Sequence, residues 1–340
     1  MAQQKRFKVV IGGASGETGT SIINALLDSP DKFEVVALVR PESASKAIYQ
    51  DLTKRGTSIR CADFKDIEAV IPILKGADVV ISCLTLLHKE EELALIDASH
   101  AAGVGRFVPS FFALVCPPRG VLSMREAKED YLDKCKRLYL PYTAIDVGWW
   151  FQGSLPAVPS GKLDAKLTTP DMIIGADGNV PTAVTDLADI GKYVARIIVD
   201  PRTLNKLVFA YSEVTTQNEV WGYVEELTGE KIPRRYLSKE GAEDSIAMLK
   251  RAAAEDPTNI SPLLKLALTE YKYSWGIRGD NTPEHATYLG YLSIKELYPD
   301  LQWNSIRSFT EEVVKGSKSA NVYLGRDDHP VSGFRELFKE

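Results

Sequence analysis

The chain has 340 residues, 44% hydrophobic and 26% charged, which is the composition of an ordinary globular protein and excludes disordered and fibrous classes. A formal net charge of −5 offers no basic surface to nucleic acid or to an anionic membrane, so the expected partner is a small molecule. Met1–Arg6 lacks the apolar core of a secretion signal and no apolar stretch is long enough to span a bilayer, so a cytoplasmic protein without a membrane partner is expected.

From Phe7 onward, short β-branched runs alternate with amphipathic helical stretches. Strands are expected at Phe7–Ile11, Phe33–Val39, Ser58–Cys61, Asp78–Leu84, Arg106–Pro109 and Tyr142–Val147. Between them, Thr18–Leu27 puts Ile22, Ile23, Leu26 and Leu27 on one helical face, and Glu90–Ala102 does the same with Leu93, Leu95, Ile96 and Ala98. Strand and helix in alternation predict an α/β fold of the Rossmann type, a doubly wound parallel sheet with crossover helices. The second half is less regular. Pro/Gly-rich connections at Ser154–Gly161 and Pro170–Pro181 precede a helix near Asp189–Val199 and a strand near Lys206–Ser212. Helices follow at Gln217–Leu227, Lys239–Ala254 and Pro262–Tyr273, the first with Thr215 or Thr216 as N-cap and Gly229 beyond its end. The expected organisation is a nucleotide-binding domain over 1–153, with a later contribution from about 182–212, and a smaller, mostly helical substrate lobe from 154–181 and 213–340.

The glycines of Gly13-Ala14-Ser15-Gly16-Glu17-Thr18-Gly19 lie directly between a buried strand and a helix start. In that setting Gly13 makes the tight turn, Gly16 lets a pyrophosphate approach the backbone, and Gly19 lets the helix pack on the strand. The free N–H groups of the first helical turn, with Ser15, Glu17 and Thr18 beside them, then receive the phosphate. At the end of the second strand a carboxylate would select NAD, but the chain has Arg40, which suits the 2′-phosphate of NADP(H). Lys46, with Ser43 or Ser45, completes that pocket. Topology further places Asp63 beside the adenine and Ser82, Cys83 and Leu84 on the nicotinamide side, because ligands bind beyond the carboxyl ends of such strands. Packing is the alternative for these.

Cys61, Cys83, Cys116 and Cys135 form no C-x-x-C pair, and no cluster has metal-ligand spacing, so reduced thiols and no metal are expected. His88 and His100 have no recognisable partners and read as structural or surface residues.

Several further runs resemble the isoflavone reductase-like and NmrA-like branch of the atypical short-chain dehydrogenase/reductases. They are Leu38-Val39-Arg40, Gly105-Arg106-Phe107-Val108-Pro109-Ser110, Leu140-Pro141-Tyr142-Thr143, Gly175-Ala176-Asp177-Gly178-Asn179 and Asp200-Pro201-Arg202-Thr203-Leu204-Asn205-Lys206. The resemblance spans Phe7 to about Leu237 and is nearest to the fungal subgroup. It implies a catalytic lysine thirteen or fourteen residues ahead of the Pro-Tyr-Thr run, in place of a Tyr-x-x-x-Lys pair, and Lys128 stands there. Its helical neighbours Met124, Arg125, Tyr131 and Leu132 include no carboxylate, a setting that lowers an ammonium pKa and suits a proton donor. An exposed lysine on a charged helix is the alternative. Lys134 pairs instead with Asp130 by spacing.

Family reductases continue Pro-Ser with Glu-Phe-Gly, whereas this chain has Phe111 and Phe112, so the substrate pocket differs there. Tyr131, Trp149, Trp150 and Phe151 are candidates to contact an aromatic or apolar substrate, with core packing as the alternative, and Gly148 before them is assigned to the cofactor. The resemblance implies an NADPH-dependent oxidoreductase that passes hydride to a small apolar secondary metabolite, aromatic or polyketide-like. The competing reading is an NmrA-type NAD(P) sensor without turnover. The apolar stripe Leu263, Leu264, Leu266, Leu268 and Tyr271 serves either the core or a homodimer contact.

Overall fold

The computed structural model describes residues 6–163, 172–256 and 258–322, so part of the expected Pro170–Pro181 connection and the stretch 323–340 lie outside the described residues. The N-terminal strands are β1 (Phe7–Gly12), β2 (Phe33–Val39), β3 (Ser58–Cys61), β4 (Val79–Ser82) and β5 (Phe107–Val108), with α1 (Glu17–Leu27), α2 (Ala47–Lys54), α3 (Ile67–Leu74) and α4 (Lys89–Ala101) as crossovers. All five pair in parallel in the order β3-β2-β1-β4-β5. After α5 (Ser123–Arg137), β6 (Thr143–Asp146) continues the sheet through a parallel bridge between Phe107 and Tyr142. The result is a doubly wound, Rossmann-type α/β sheet, as the alternation of patterns predicts.

Three short strands follow, β7 (Trp149–Trp150), β8 (Ile173–Gly175) and β9 (Thr182–Thr185), and β8 falls where only an irregular connection is expected. Then come α6 (Leu187–Ile197), β10 (Lys206–Phe209) beside β6, β11 (Glu213–Thr215) beside β9, α7 (Gln217–Thr228) and β12 (Arg235–Leu237) beside β8. The described residues continue through α8 (Lys239–Glu255), α9 (Ile260–Lys272), α10 (Pro283–Tyr288), β13 (Leu292–Ser293) beside β10, α11 (Ile294–Leu297) and α12 (Ile306–Val314). Thr216 caps α7 in a reciprocal box with Glu219, and Gly229 ends that helix in the left-handed conformation, as expected. Among the described residues no helix is long and apolar enough to cross a membrane.

One core lies between the sheet and α1 and α6, built from Val9, Ile11, Ile22, Ile23, Leu26, Ile190, Tyr193 and Val194. A second, around Val10, Val80, Leu95, Ile96 and Phe107, fills the opposite face under α3, α4 and α5. The run Asp200–Lys206 turns out to be an anchor for this sheet. The buried Arg106 donates to the Ile197 carbonyl (2.7 Å), the Thr203 hydroxyl (2.9 Å) and the Asp200 carbonyl (2.9 Å). Asp200 itself caps the turn Pro201–Thr203, and the Arg202 guanidinium, with burial opposing, holds its carboxyl down at about 2. Replacing Arg106 by methionine should therefore lower the unfolding free energy by about 2–3 kcal/mol, because these acceptors lose their donor in a buried site. Urea denaturation measures this, and a change within error of zero contradicts the strut.

Candidate active site

At Gly13 the chain turns with φ +77°, and a Cβ there would lie 2.5 Å from the Cys83 carbonyl oxygen. A Cβ at Gly19 would run into the Gly13 carbonyl, so α1 packs directly against the loop. Gly16 is the N-cap of α1 and brings no side chain to its first turn. Backbone N–H groups, reinforced by the helix dipole, are thus presented where an anion would sit.

The loop opens into a groove of about 310 Å³ walled by Gly13, Ser15 and Gly16, by Arg40, Ser43, Lys46 and Tyr49, and by Cys83, Leu84 and His88. An adjoining hollow of about 560 Å³ shares Ser15, Gly16 and Lys46 and adds Glu17. Tyr49, which sequence reasoning missed, donates to the Ser15 hydroxyl at 3.1 Å. Arg40 sits 3.2 Å from the Glu42 carboxylate, and its Nη1 lies 3.5 Å from His88 Nε2 across the groove. Thr85 Oγ1 steadies the other ring nitrogen of His88 at 3.1 Å. His88, read from the sequence as a structural or surface residue, lies on the groove wall, where the turn after β4 brings it opposite Arg40, a proximity of residues 48 positions apart that spacing cannot reveal.

Behind the groove wall lies Lys128. It is buried, which excludes the exposed-lysine reading, and its Nζ donates to the Ser110 carbonyl. Ser110 Oγ in turn donates to the Leu84 carbonyl (2.6 Å), so Lys128 stands two hydrogen bonds from the wall, at the carboxyl ends of β4 and β5. Burial pushes its pKa down to about 8; Asp146 and Glu92 oppose that fall, and the nearby Arg125 cation adds to it.

Arg125, one helical turn before Lys128, is wholly buried. Its guanidinium meets Asp146 Oδ2 (2.6 Å), Glu129 Oε1 (2.7 Å), the Tyr291 hydroxyl (2.5 Å) and the Leu114 carbonyl (3.3 Å), and lies 4.6 Å from the centre of the Phe111 ring. Tyr291 also donates to Asp146 at 2.6 Å. Burial acts against the Arg125 charge, but the Asp146 carboxylate holds its pKa well above the ordinary value. A second buried acid, Glu92 on α4, accepts from Ser82 Oγ and from the Ser110 N–H (3.0 Å). Sequence reasoning missed Glu92, Arg125, Asp146 and Tyr291, which look like ordinary solvated residues until the fold encloses them.

Other expected site residues lie elsewhere. Ser82 is buried and points at Glu92 rather than into the groove, while Cys83 and Leu84 do line it. Asp63 is exposed, is not on the groove wall and receives the Lys65 N–H (2.9 Å); its neighbour Phe64 takes the wall position. Thr18, in the first turn of α1, reaches neither hollow. At Gly148 φ is +72° and a Cβ would come 2.5 Å from the Ala183 carbonyl oxygen, so the backbone there requires glycine. Phe151 is wholly buried against Phe309, and Tyr131 is buried in the core under α4 and α5. Phe111 is buried beneath Arg125, so these three aromatic rings are packing residues. Phe112 and Trp150 are half-buried against the core beneath α1 and α6. Trp149 stacks on Trp275 (5.5 Å) beside Tyr271 (5.7 Å). Lys134 pairs with Asp97 (2.6 Å), not with Asp130, whose carboxylate is taken by Lys89 and Arg119.

Known proteins resemble the chain over most of its length. The NmrA-like family model matches residues 5–120. An asnovolin J 5′,6′-dehydrogenase from Aspergillus novofumigatus is 41% identical over 326 residues, 95% of this chain and 100% of that one. An isoflavone reductase homolog from Zea mays is 26% identical over 91% of this chain and 98% of its own length. Among solved structures, a binary complex of leucoanthocyanidin reductase with NADPH from Vitis vinifera superposes with a TM-score of 0.74 at 24% identity, covering 91% of this chain and 99% of that one. The chain belongs to the NmrA-like family, in its isoflavone reductase-like branch, and is an oxidoreductase of that branch.

The Arg125 network gives a direct test of the site's rigidity. Arg125→Met should cost about 3–5 kcal/mol of unfolding free energy, because Asp146 and Glu129 are left buried without their cation. Tyr291→Phe, which removes one hydroxyl, should cost about 1–2 kcal/mol. Equal, negligible costs in chemical denaturation would show that the network carries no structural weight.

Proposed function

We propose that this protein is an NADPH-dependent reductase of a small apolar secondary metabolite, aromatic or polyketide-like, with Lys128 as proton donor and oxyanion stabiliser. The observation that carries this is the burial of Lys128 at the carboxyl ends of β4 and β5, directly behind a groove built for a dinucleotide. The groove fits that cofactor: the cradle at Gly13 and Gly19 leaves no room for side chains, and Arg40 and Lys46 supply cations beyond the end of β2. When bound, NADPH supplies the hydride.

Every other task falls to the chain's own residues. The Gly13–Gly19 loop and the α1 N-terminus hold the pyrophosphate, and Arg40 with Lys46 holds the 2′-phosphate. Lys128 exchanges the Ser110 carbonyl for the substrate oxygen, donates a hydrogen bond to it as negative charge develops, and then gives up the proton. An ammonium with a pKa near 8 is charged enough to donate and acidic enough to part with its proton. The same group in its neutral form can take a proton when the reaction runs in the oxidising sense. This accommodates relatives named as a dehydrogenase and as a reductase homolog. The described parts of 154–181 and of the chain after 212 form the cover over the substrate, and Phe112, Trp149 and Trp150 contribute its apolar wall.

Purified protein offered NADPH and a panel of enones, quinones and benzylic ethers should oxidise the cofactor with at least one of them. Cofactor binding with no oxidation across the panel would establish the sensor reading instead. Lys128→Ala should abolish turnover with NADPH affinity nearly unchanged, and undiminished turnover would refute the assigned role. Because the donor must be protonated, the reducing rate should be level below pH about 8 and fall above it. Arg40→Ala should weaken NADPH binding about 10–100-fold by titration while leaving NADH binding unchanged, since it removes a charged contact to the 2′-phosphate alone.

A further inference from the structure

The Ser110 residue is gripped from three sides. Its N–H is held by Glu92 Oε1 (3.0 Å), its carbonyl by the Lys128 ammonium, and its hydroxyl by the Leu84 carbonyl (2.6 Å). Glu92 is wholly buried, and both of its oxygens act as acceptors, one for Ser110 and one for the Ser82 hydroxyl. The Ser82 oxygen faces the Leu84 N–H at 3.4 Å, which leaves its own hydrogen for Glu92. A carboxyl whose two oxygens both accept hydrogen bonds is being addressed in its charged form. Nothing in the hydride-transfer scheme above uses this acid, although an unpaired carboxylate at full burial is among the costliest groups a fold can contain.

Resting on the reading of Lys128 as the proton donor, we infer that Glu92 is a positioning residue for the reaction. It fixes the peptide that aims the ammonium, and its negative charge keeps that ammonium protonated until substrate arrives. The groups that face Lys128 are few: Glu92 from α4, Cys83 at the end of β4, Asp146 on β6 and Arg125 on its own helix. Asp146 is already committed to Arg125 and Tyr291 by hydrogen bonds at 2.6 Å. The Cys83 thiol is pushed up by burial, and further by Glu92, so it is neutral. Glu92 is therefore the one acid facing Lys128 that no cation contacts directly by hydrogen bond among the described residues. Burial raises its own pKa, while Ser82, the Ser110 N–H and Lys128 act to lower it, so acid and ammonium support each other's charge across one peptide. Buried Tyr131, whose hydroxyl has no hydrogen-bond partner among the described residues, is pushed up by burial and by Glu92 and stays protonated.

The test reads the Lys128 proton directly. Full-length protein carrying ¹³C,¹⁵N-lysine is titrated by NMR between about pH 6 and 10, the range spanning free and buried lysines, with the Lys128 signal assigned by its loss in Lys128→Met. The native midpoint is expected near 8. Glu92→Gln keeps the shape and the bond from the Ser110 N–H, replaces the acceptor facing Ser82 by a donor and removes the charge, and should move the midpoint down by about one pH unit. The falling limb of the turnover profile should move with it. An unmoved midpoint in a variant that melts like the native protein overturns the inference. Should that variant fail to fold, Ser82→Ala removes the bond that favours the charged carboxylate and should shift the midpoint the same way; no shift again overturns it. Lys128→Ala that still turns over would sink the catalytic reading while leaving this titration intact. An inactive Lys128→Ala beside an unmoved Glu92→Gln midpoint would sink only the role of Glu92.

Discussion

The guanidinium of Arg125 is the interaction on which the rest of the site depends. It is enclosed by α5 through Glu129, by β6 through Asp146, by the segment after β5 through Leu114 and Phe111, and by Tyr291 just ahead of β13. A buried ion pair of this kind is weak evidence for net stability, because desolvation of the two charges offsets most of their attraction. What it does supply is geometry: each partner left alone would be a bare charge in the core, so the four chain segments have one way to come together. Lys128, one turn along α5, inherits its position from that constraint.

The same arrangement sets the chemistry. A lysine held beside a fixed cation and away from water loses part of its hold on its proton, and the two acids nearby restore some of it. The balance leaves a buried ammonium whose pKa is pushed down to about 8. The groove in front of it is made by simpler means. Close approach of backbone at Gly13 and Gly19 and an uncapped helix start give an anion cradle that needs almost no side chains, while Arg40 and His88 face one another across its outer end. The groove and the buried lysine are thus built from different strands and helices, joined through the hydrogen bond from Ser110 to Leu84.

Much of the nucleotide-binding architecture was legible from local patterns. β1, the Gly13–Gly19 loop and α1 were readable because burial of a parallel strand, the turn and the helical face each leave a short-range signature. Lys128 was readable only through resemblance and spacing. Glu92, Arg125 and Asp146 were not: Glu92 and Arg125 sit among charged neighbours, Asp146 stands alone in an apolar strand, and the partners of all three come from segments far away in the chain. Phe151 misled for a related reason. Residues just past a strand end lie near the ligand edge of such a sheet, but direction decides which of them face it, and here Phe309 claims Phe151. The pairing of Lys134 with Asp97 instead of Asp130 shows that helical spacing yields to a longer-range partner when α4 packs alongside α5.

The central claim is that the groove and the buried lysine together carry a reaction and not merely a binding event. NADPH deuterated at the transferring position of C4, incubated with the native protein and the acceptor panel, tests this most directly by mass spectrometry of the recovered acceptors. The account predicts one deuterium delivered to a carbon of at least one acceptor by the native protein, and none by Lys128→Ala at equal cofactor occupancy. Bound cofactor with no deuterium in any acceptor, or equal transfer by the two proteins, would contradict it.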